Sequence, residues 1–408
     1  MRSSGGAAIP MQQELKNKIK YLVGDEDMAE TVHQAECREP FSEEIVDFLD
    51  MFSRMIRKDR EAREYPDIQT YGFWCRKASI LEMKQEYCRL EDRIGRGMTF
   101  HIAPSNIPMM FLFSLTVSLL AGNPNVVRIS SREFVQTGIV CRILRALLAE
   151  PGNEWIRRMI LILQYPHDDR ITEAFSERCR NRIIWGGDAS ISKIRETKLS
   201  PWAIDLPFYD RFSLSVIQAD EYLKAENPDR IALDFYNDTY VTDQNACTSP
   251  QLVVWMGKQV NEARERFWRC LNRVVLERYP FQDIQAVDKL AAACRFAISH
   301  EEGRLIRENM ALCRMELDRL PGDLSWYRCP GGYFYEYHAK NLDEIGKICS
   351  VDTQTISCFG IKDKEILSMV KRNHCMGVDR VVPVGDTMDF GLQWDGFDFI
   401  YSLTRVVG

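Results

Sequence analysis

The sequence predicts an α/β protein in which a doubly wound, parallel-sheet domain is followed by a second α/β domain. Two observations predict this. From about residue 98, short apolar runs alternate with amphipathic stretches, and parallel strands need crossovers that are usually helices. The chain is also long enough for two packed domains, with 408 residues of which 45% are hydrophobic. No Pro/Gly/Ser-rich linker, internal repeat or low-complexity segment divides it, so two closely packed domains are expected.

The first hundred residues read mostly as helix. In "FSEEIVDFLDMFSRMIRKDRE", Ile45, Phe48, Leu49, Phe52, Met55 and Ile56 share one face. Ser42 stands at the N-cap position, and Glu43 and Glu44 fall in the first turn, where the helix dipole favours negative charge. The alternation then runs strand "MTFHIA", helix "PMMFLFSLTVSLLA", strand "NVVRIS", helix "REFVQTGIVCRILRALLAE", strand "MILIL", helix "RITEAFSERC", strand "RIIW" and a Gly-Gly turn. A second unit opens near "DRFSLSVIQADE" and contains the strand "QLVVWM" and the long helix "KQVNEARERFWRCLNRVVLERY". The expected boundaries are residues 1–212 for the N-terminal helices and first domain and 213–375 for the second, with 376–408 packing back near the first.

Charge and cysteine usage narrow the class of function. A net charge of −6 provides no basic face for nucleic-acid phosphates or anionic lipid. The N-terminus lacks an apolar signal core, and "MMFLFSLTVSLLAG" is too short to span a bilayer. A cytoplasmic protein without a membrane span is the expectation. The 13 cysteines are odd in number, scattered, and form no CxxC pair or Cys/His cluster with metal-ligand spacing. Reduced thiols and no metal site are therefore expected, with most cysteines inert in the core, among them Cys141, Cys270 and Cys294.

Four stretches could carry chemistry. In "HIAPSNIPMMF" a strand ends at Ala103, a polar turn follows, and Pro108 sits where a first helical position tolerates it. Ligands of open α/β sheets bind at such strand ends, and Asn106 would offer an amide there, although from spacing alone a turn or cap role is the better explanation. In "GNPNVVRISS" a strand ends in Arg128, Ser130 and Ser131, suited to a ribose hydroxyl or phosphate, or to an ordinary ion pair. Gly186 and Gly187 let a ligand approach the backbone at the start of a helix, although "WGGDAS" does not match GxGxxG. The fourth stretch is "DQNACTSPQ", where turn formers and small residues surround Cys247 and suit a presented thiol as well as a small buried one.

Taken in order, "HIAPSNIPMMFLFSLTVSLLAGNPNVVRISS", "DRFSLSVI", "DQNACTSPQ" and "RVVPVGDTMDFGLQWDGFDFIYSLTRVV" resemble the LuxC-type acyl-CoA reductases, the reductase subunits of bacterial fatty-acid reductases. That family in turn resembles the aldehyde dehydrogenase superfamily. The resemblance implies an aldehyde dehydrogenase-like fold with a cofactor domain and a catalytic domain. It implies that Cys247 is the catalytic nucleophile and Asn106 the oxyanion donor. Ala103, Ser105, Arg128, Ser130, Gly186 and Gly187 fall on cofactor-binding positions, with Gln354 as the substitute for a ribose-binding glutamate. Arg128 stands where the superfamily commonly has a lysine; an arginine suits a 2'-phosphate, so NADPH is expected, with NADH as the alternative. Asp188 stands where a serine is common.

One departure bears on the reaction. The glutamate that activates water in hydrolytic members is absent from "LPFYDRFSLSVI", where Phe208 and Tyr209 lie near its position. An acyl-enzyme without that base is shielded from hydrolysis, which favours reduction of an acyl thioester to an aldehyde. The competing readings are a non-redox cysteine acyltransferase or thioesterase, and an inactive scaffold subunit of an acyl-processing complex. By resemblance, the substrate is an acyl-CoA or an acyl carrier, an acyl-protein synthetase is a partner, and the chain forms a homo-oligomer. His101 reads as a strand residue, His338 and His374 have no motif, and no proton donor is assigned.

Overall fold

Strand propensity, crossover helices and continuous burial produce two large sheets among the described residues, beside two small two-stranded ones. The computed structural model describes residues 11–301 and 303–408 and divides them into two units. One takes everything described up to Tyr209 together with Phe390–Gly408, and the other is Asp210–Asp389.

The sheet of the first unit contains β1 (Lys20–Val23), β2 (Thr99–Ile102), β3 (Asn125–Arg128), β4 (Ile160–Gln164), β5 (Asn181–Trp185) and β6 (Ile204–Phe208). Its order is β1-β4-β3-β2-β5-β6. All neighbours run parallel except β1, which pairs antiparallel with β4. The apolar runs are continuous because both faces are covered, and successive side chains go to opposite cores. Phe100, Ile102, Val126, Leu161, Leu163 and Ile184 enter one core, whereas Val127, Ile160, Ile162, Ile183 and Trp185 enter the other.

The helix Met110–Leu120 is buried along its whole length on the second of these faces. There Ser114 Oγ lies 2.7 Å from His101 Nδ1, and Asn125 Oδ1 lies 2.9 Å from His101 Nε2. Burial lowers the His101 pKa to about 4, partly offset by the Asn125 hydrogen bond. His101 is therefore a neutral, structural residue at physiological pH.

The second sheet contains β7 (Phe212–Gln218), β8 (Pro250–Met256), β9 (Arg304–Arg307), β10 (Cys313–Leu317), β11 (Tyr333–His338), β12 (Thr353–Phe359) and β13 (Arg380–Pro383). The order is β9-β10-β11-β8-β7-β12-β13, parallel except at the β9 edge. Leu214, Val216, Leu252, Val254, Tyr335 and Ile356 fill one face, and Ile217, Val253, Trp255 and Phe334 the other.

Several expectations need correction. Ser42 is at the N-cap of the helix Glu43–Lys58, but its hydroxyl makes no cap bond. Pro108 lies in the turn before the helix that begins at Met110 rather than at its first position. The N-terminal region is mostly helical as expected, with Lys20–Val23 a strand too short for its periodicity to show. The chain returns to the first unit at Phe390, not at residue 376. Residues 380–383 instead extend the second sheet as β13, in parallel register with β12. Cys141 and Cys270 are buried as expected, whereas Cys294 is exposed on the outward face of the helix Asp283–Ser299. No cysteine is in a disulfide, and no described helix is long and apolar enough to cross a membrane.

Candidate active site

In the first unit the strand order reverses at β2, from which the chain goes out to β3 and β4 and returns to β5 and β6 on the other side. Ligands of open α/β sheets bind outside the carboxyl ends of the strands at such a reversal. Seven sequence candidates lie on this edge. Ala103 follows β2 and donates its N–H to the Arg128 carbonyl at 2.9 Å, which ties the ends of β2 and β3 together. Ser105 and Asn106 form an exposed bend beyond it. Ser130 follows β3, and its hydroxyl is turned back to accept the Arg132 N–H at 3.0 Å. Gly186 and Gly187 follow β5, and Gly187 caps the helix Asp188–Arg195 without a side-chain bond. Arg128 itself ends β3, its guanidinium 5.3 Å from the Tyr165 ring centroid. A shallow depression beside this edge is lined by Ala103, Pro104, Ile107, Ser130 and Phe134.

These residues fit a dinucleotide. The buried Nε of Arg128 has no hydrogen-bond partner, so the guanidinium has a donor to give to a phosphate or hydroxyl. A Cβ added at Gly187 would meet nothing within 4 Å, and one at Gly186 only the Ser190 Cβ at 3.7 Å. The backbone there is open to an approaching group. Asp188 occupies the first helical position and is exposed, so the helix end already carries a negative charge that a phosphate would have to tolerate.

In the second unit the chemistry gathers at the opposite, amino edge of the sheet. Cys247 lies ahead of β8 and is half-buried, while its neighbours Ala246, Thr248 and Ser249 are buried. The turn before it holds two successive non-glycine residues in the left-handed region, Asp243 at φ 52° and Gln244 at φ 59°. Such conformations cost on the order of 1 kcal/mol or more each and need compensation. Gln244 supplies it: its amide nitrogen donates to the Pro250 and Tyr333 carbonyls at 2.9 and 3.2 Å. Its amide oxygen accepts from the Gly332 and Tyr333 N–H groups at 2.9 and 3.2 Å. Tyr279 donates its hydroxyl to Asp243 at 2.8 Å. Ser213, from β7, donates to the Cys247 carbonyl at 2.6 Å and accepts the Thr355 N–H at 3.2 Å. The sulfur is thus carried on a turn bonded to β7, β8 and β11.

The thiol of Cys247 donates to Asp210 Oδ1 at 3.7 Å. The other oxygen of Asp210 is ion-paired with Arg328, whose second nitrogen donates to the Arg211 carbonyl at 2.9 Å. Sequence reasoning missed both residues. It weighed Phe208 and Tyr209; Phe208 proves to be core, stacked on Trp185 at 4.0 Å between centroids, and the carboxylate stands two residues further on. Gln354, at the start of β12, shares this amino edge but is only 2% exposed, which leaves its side chain little surface to offer a ligand.

Behind the cysteine turn, Asp238 is fully buried at the end of the helix Pro228–Thr239 and accepts the Gly385 and Thr387 N–H groups at 2.7 and 3.1 Å. Burial raises its pKa to about 7 despite those bonds. The loop it holds brings Met388 Sδ within 3.4 Å of the Thr248 hydroxyl, one residue after Cys247.

Sheets built and ordered in this way define the aldehyde dehydrogenase fold. Lactaldehyde dehydrogenase from Escherichia coli matches with a TM-score of 0.63 at 13% identity, covering 93% of this chain and 90% of that one. A Thermus 1-pyrroline-5-carboxylate dehydrogenase, solved with bound NAD, matches with a TM-score of 0.59 at 14% identity, covering 93% and 82%. Within that fold, residues 39–308 match the model of the acyl-CoA reductase (LuxC) family, and the chain belongs to that family. The long-chain acyl-protein thioester reductase of Photorhabdus laumondii subsp. laumondii is 22% identical over 308 residues, which are 71% of this chain and 58% of the relative. The match therefore spans less than two thirds of that relative's length.

Proposed function

We propose that this chain reduces an acyl thioester to an aldehyde through an acyl-enzyme on Cys247, using NADPH. The observation that carries the reading is the placement of Cys247. Its thiol is half-buried on a braced turn and bonded to a carboxylate, unlike the packed core thiols Cys75, Cys141 and Cys179, which burial pushes up to about 12. Family membership and the open, glycine-lined strand ends of the first unit support it.

In this reading the Cys247 sulfur attacks the thioester carbonyl, and Asn106 donates to the oxygen as it takes up negative charge. The thiol of the substrate leaves, and the acyl group stays fixed on the protein rather than diffusing, which converts reduction into a step between held groups. Arg128, Gly186 and Gly187 would hold the dinucleotide by its phosphates, with Ala103, Ser105 and Ser130 on the same sheet edge. When bound, a reduced nicotinamide supplies the hydride that turns the acyl carbon into an aldehyde. An acyl-CoA or acyl carrier is the donor, and delivery by an acyl-protein synthetase to a homo-oligomer completes the proposal.

The carboxylate beside the sulfur also serves the hydrolytic alternative, because it could act on water. One assay separates the two. With an acyl-CoA and NADPH, the reductase consumes NADPH in step with the aldehyde formed. Thioester cleavage with free acid and no NADPH consumption would mean a thioesterase instead.

A further inference from the structure

We propose that Asp210 is the proton-transfer residue of Cys247 and that Arg328 is the residue that positions it. The inference rests on the acyl-thioester reading above and assigns the proton path that reading leaves open.

The geometry divides the two carboxylate oxygens between two tasks. Oδ1 receives the Cys247 thiol at 3.7 Å, and Oδ2 is paired with Arg328. Arg328 also grips the backbone at the Arg211 carbonyl, so one guanidinium fixes both the side chain of Asp210 and the chain beside it. Arg211 is held in turn by its ion pair with Asp379 and by the Val351 and Thr353 carbonyls at 2.9 and 2.8 Å. Arg328 therefore holds the Asp210 carboxylate on the side of the turn that carries the sulfur.

A carboxylate is an unusual neighbour for a reactive thiol if it is only a bystander, because its charge disfavours the thiolate. It makes sense as an acceptor. The sulfur gives up its proton as the carbonyl arrives, and the negative charge leaves Asp210 as the proton reaches it.

The sulfur of Cys247 forms a bond to the acyl carbon while its proton passes to Asp210. The bond to the outgoing thiol breaks, and that sulfur takes the proton from Asp210, which leaves acyl-enzyme, free thiol and a carboxylate. In the second half, the acyl carbon accepts a hydride from the reduced nicotinamide dinucleotide and the carbon–sulfur bond breaks. Asp210, reprotonated from solvent, returns a proton to Cys247. The net change is one acyl-enzyme, one hydride and one proton to one aldehyde and one thiol.

The test compares two reactions of the same sulfur in the full chain. Acylation by an acyl-CoA is timed by quenched intact-protein mass spectrometry, and alkylation by iodoacetamide is timed near neutral pH. Alkylation needs the thiolate but no proton for a leaving thiol. Asp210→Asn is expected to slow acylation by about 10²-fold or more, while alkylation proceeds at least as fast as in the wild type because the repelling charge has gone. Arg328→Lys keeps the charge but not the double grip, and should slow acylation by roughly tenfold with alkylation unchanged. Acylation of Asp210→Asn within about threefold of the wild type would overturn the proposal, as would an equal slowing of both reactions, which marks a structural role. If Asp210→Asn does not fold, the Arg328→Lys result decides: wild-type acylation there overturns the assignment. A wild-type sulfur that alkylates but takes no acyl group from any thioester overturns the parent reading instead.

Discussion

The two sheets present their candidate chemistry at opposite edges and by different means. In the first unit the carboxyl ends of β2, β3 and β5 bring Ala103, Ser105, Asn106, Arg128, Ser130, Gly186 and Gly187 onto one edge by topology alone, since those strands are hydrogen-bonded neighbours. In the second unit topology places Cys247 ahead of β8, but its surroundings come from side chains distant in sequence. Asp210 is 37 residues away, Ser213 is 34 away, and the Gln244 amide that braces the turn reaches 89 residues along to Tyr333. Strand order alone is enough to make a receptive edge for a ligand. The setting of the Cys247 thiol depends on long-range side-chain contacts as well.

Substitutions at the two edges should therefore fail in different assays. The largest effect belongs to Cys247→Ala, which should abolish acyl adduct and turnover while leaving dinucleotide affinity, measured by calorimetry, unchanged. Loss of affinity in that variant would break the comparison. Asn106→Ala comes next. Removing one oxyanion donor typically costs about 10²–10³ in kcat, so steady-state turnover should fall by that much while the acyl adduct still forms slowly. Arg128→Ala should weaken NADPH relative to NADH by roughly 10-fold or more, the scale of one charge-assisted hydrogen bond; an unchanged preference would remove Arg128 from the phosphate site.

The smallest effect concerns stability and sharpens the picture of the cysteine turn. The Asp238 pKa is raised from 3.8 to about 7 by burial, so the folded chain prefers its protonated form. Its contribution to stability is complete below pH 3.8 and is lost as the pH rises through about 7. Thermal melts of Asp238→Asn should therefore gain on the wild type as the pH rises through that window, whereas a constant difference would assign Asp238 no titrating role.

Much of the first unit was legible in the sequence because its signals are local. Apolar runs such as "RIIW" and "NVVRIS" become strands within a residue or two of the expected limits, and the Gly-Gly turn falls where backbone must stay open. The short edge strand Lys20–Val23 escaped because four residues carry no period. The flanks of Cys247 suit a presented thiol as well as a buried one, and the half-buried position is one that only the folded turn reveals. Asp210 lay in plain view in "LPFYDRF", but only a long-range contact distinguishes it from its neighbours, and nothing around Arg328 marks it locally. The return of the chain at Phe390 rather than residue 376 was hidden for the same reason, because the parallel pairing of β13 with β12 leaves no trace in composition.

The central claim is that the Cys247 sulfur takes up the acyl group. Incubating the full chain with a panel of acyl-CoAs, without NADPH, and mapping the added mass by peptide mass spectrometry tests it most directly. The expected result is a single acyl adduct on the peptide containing Cys247, discharged when NADPH is added. An adduct on another cysteine such as the exposed Cys88 or Cys294 with Cys247 unmodified, or no adduct from any acyl-CoA, would contradict it.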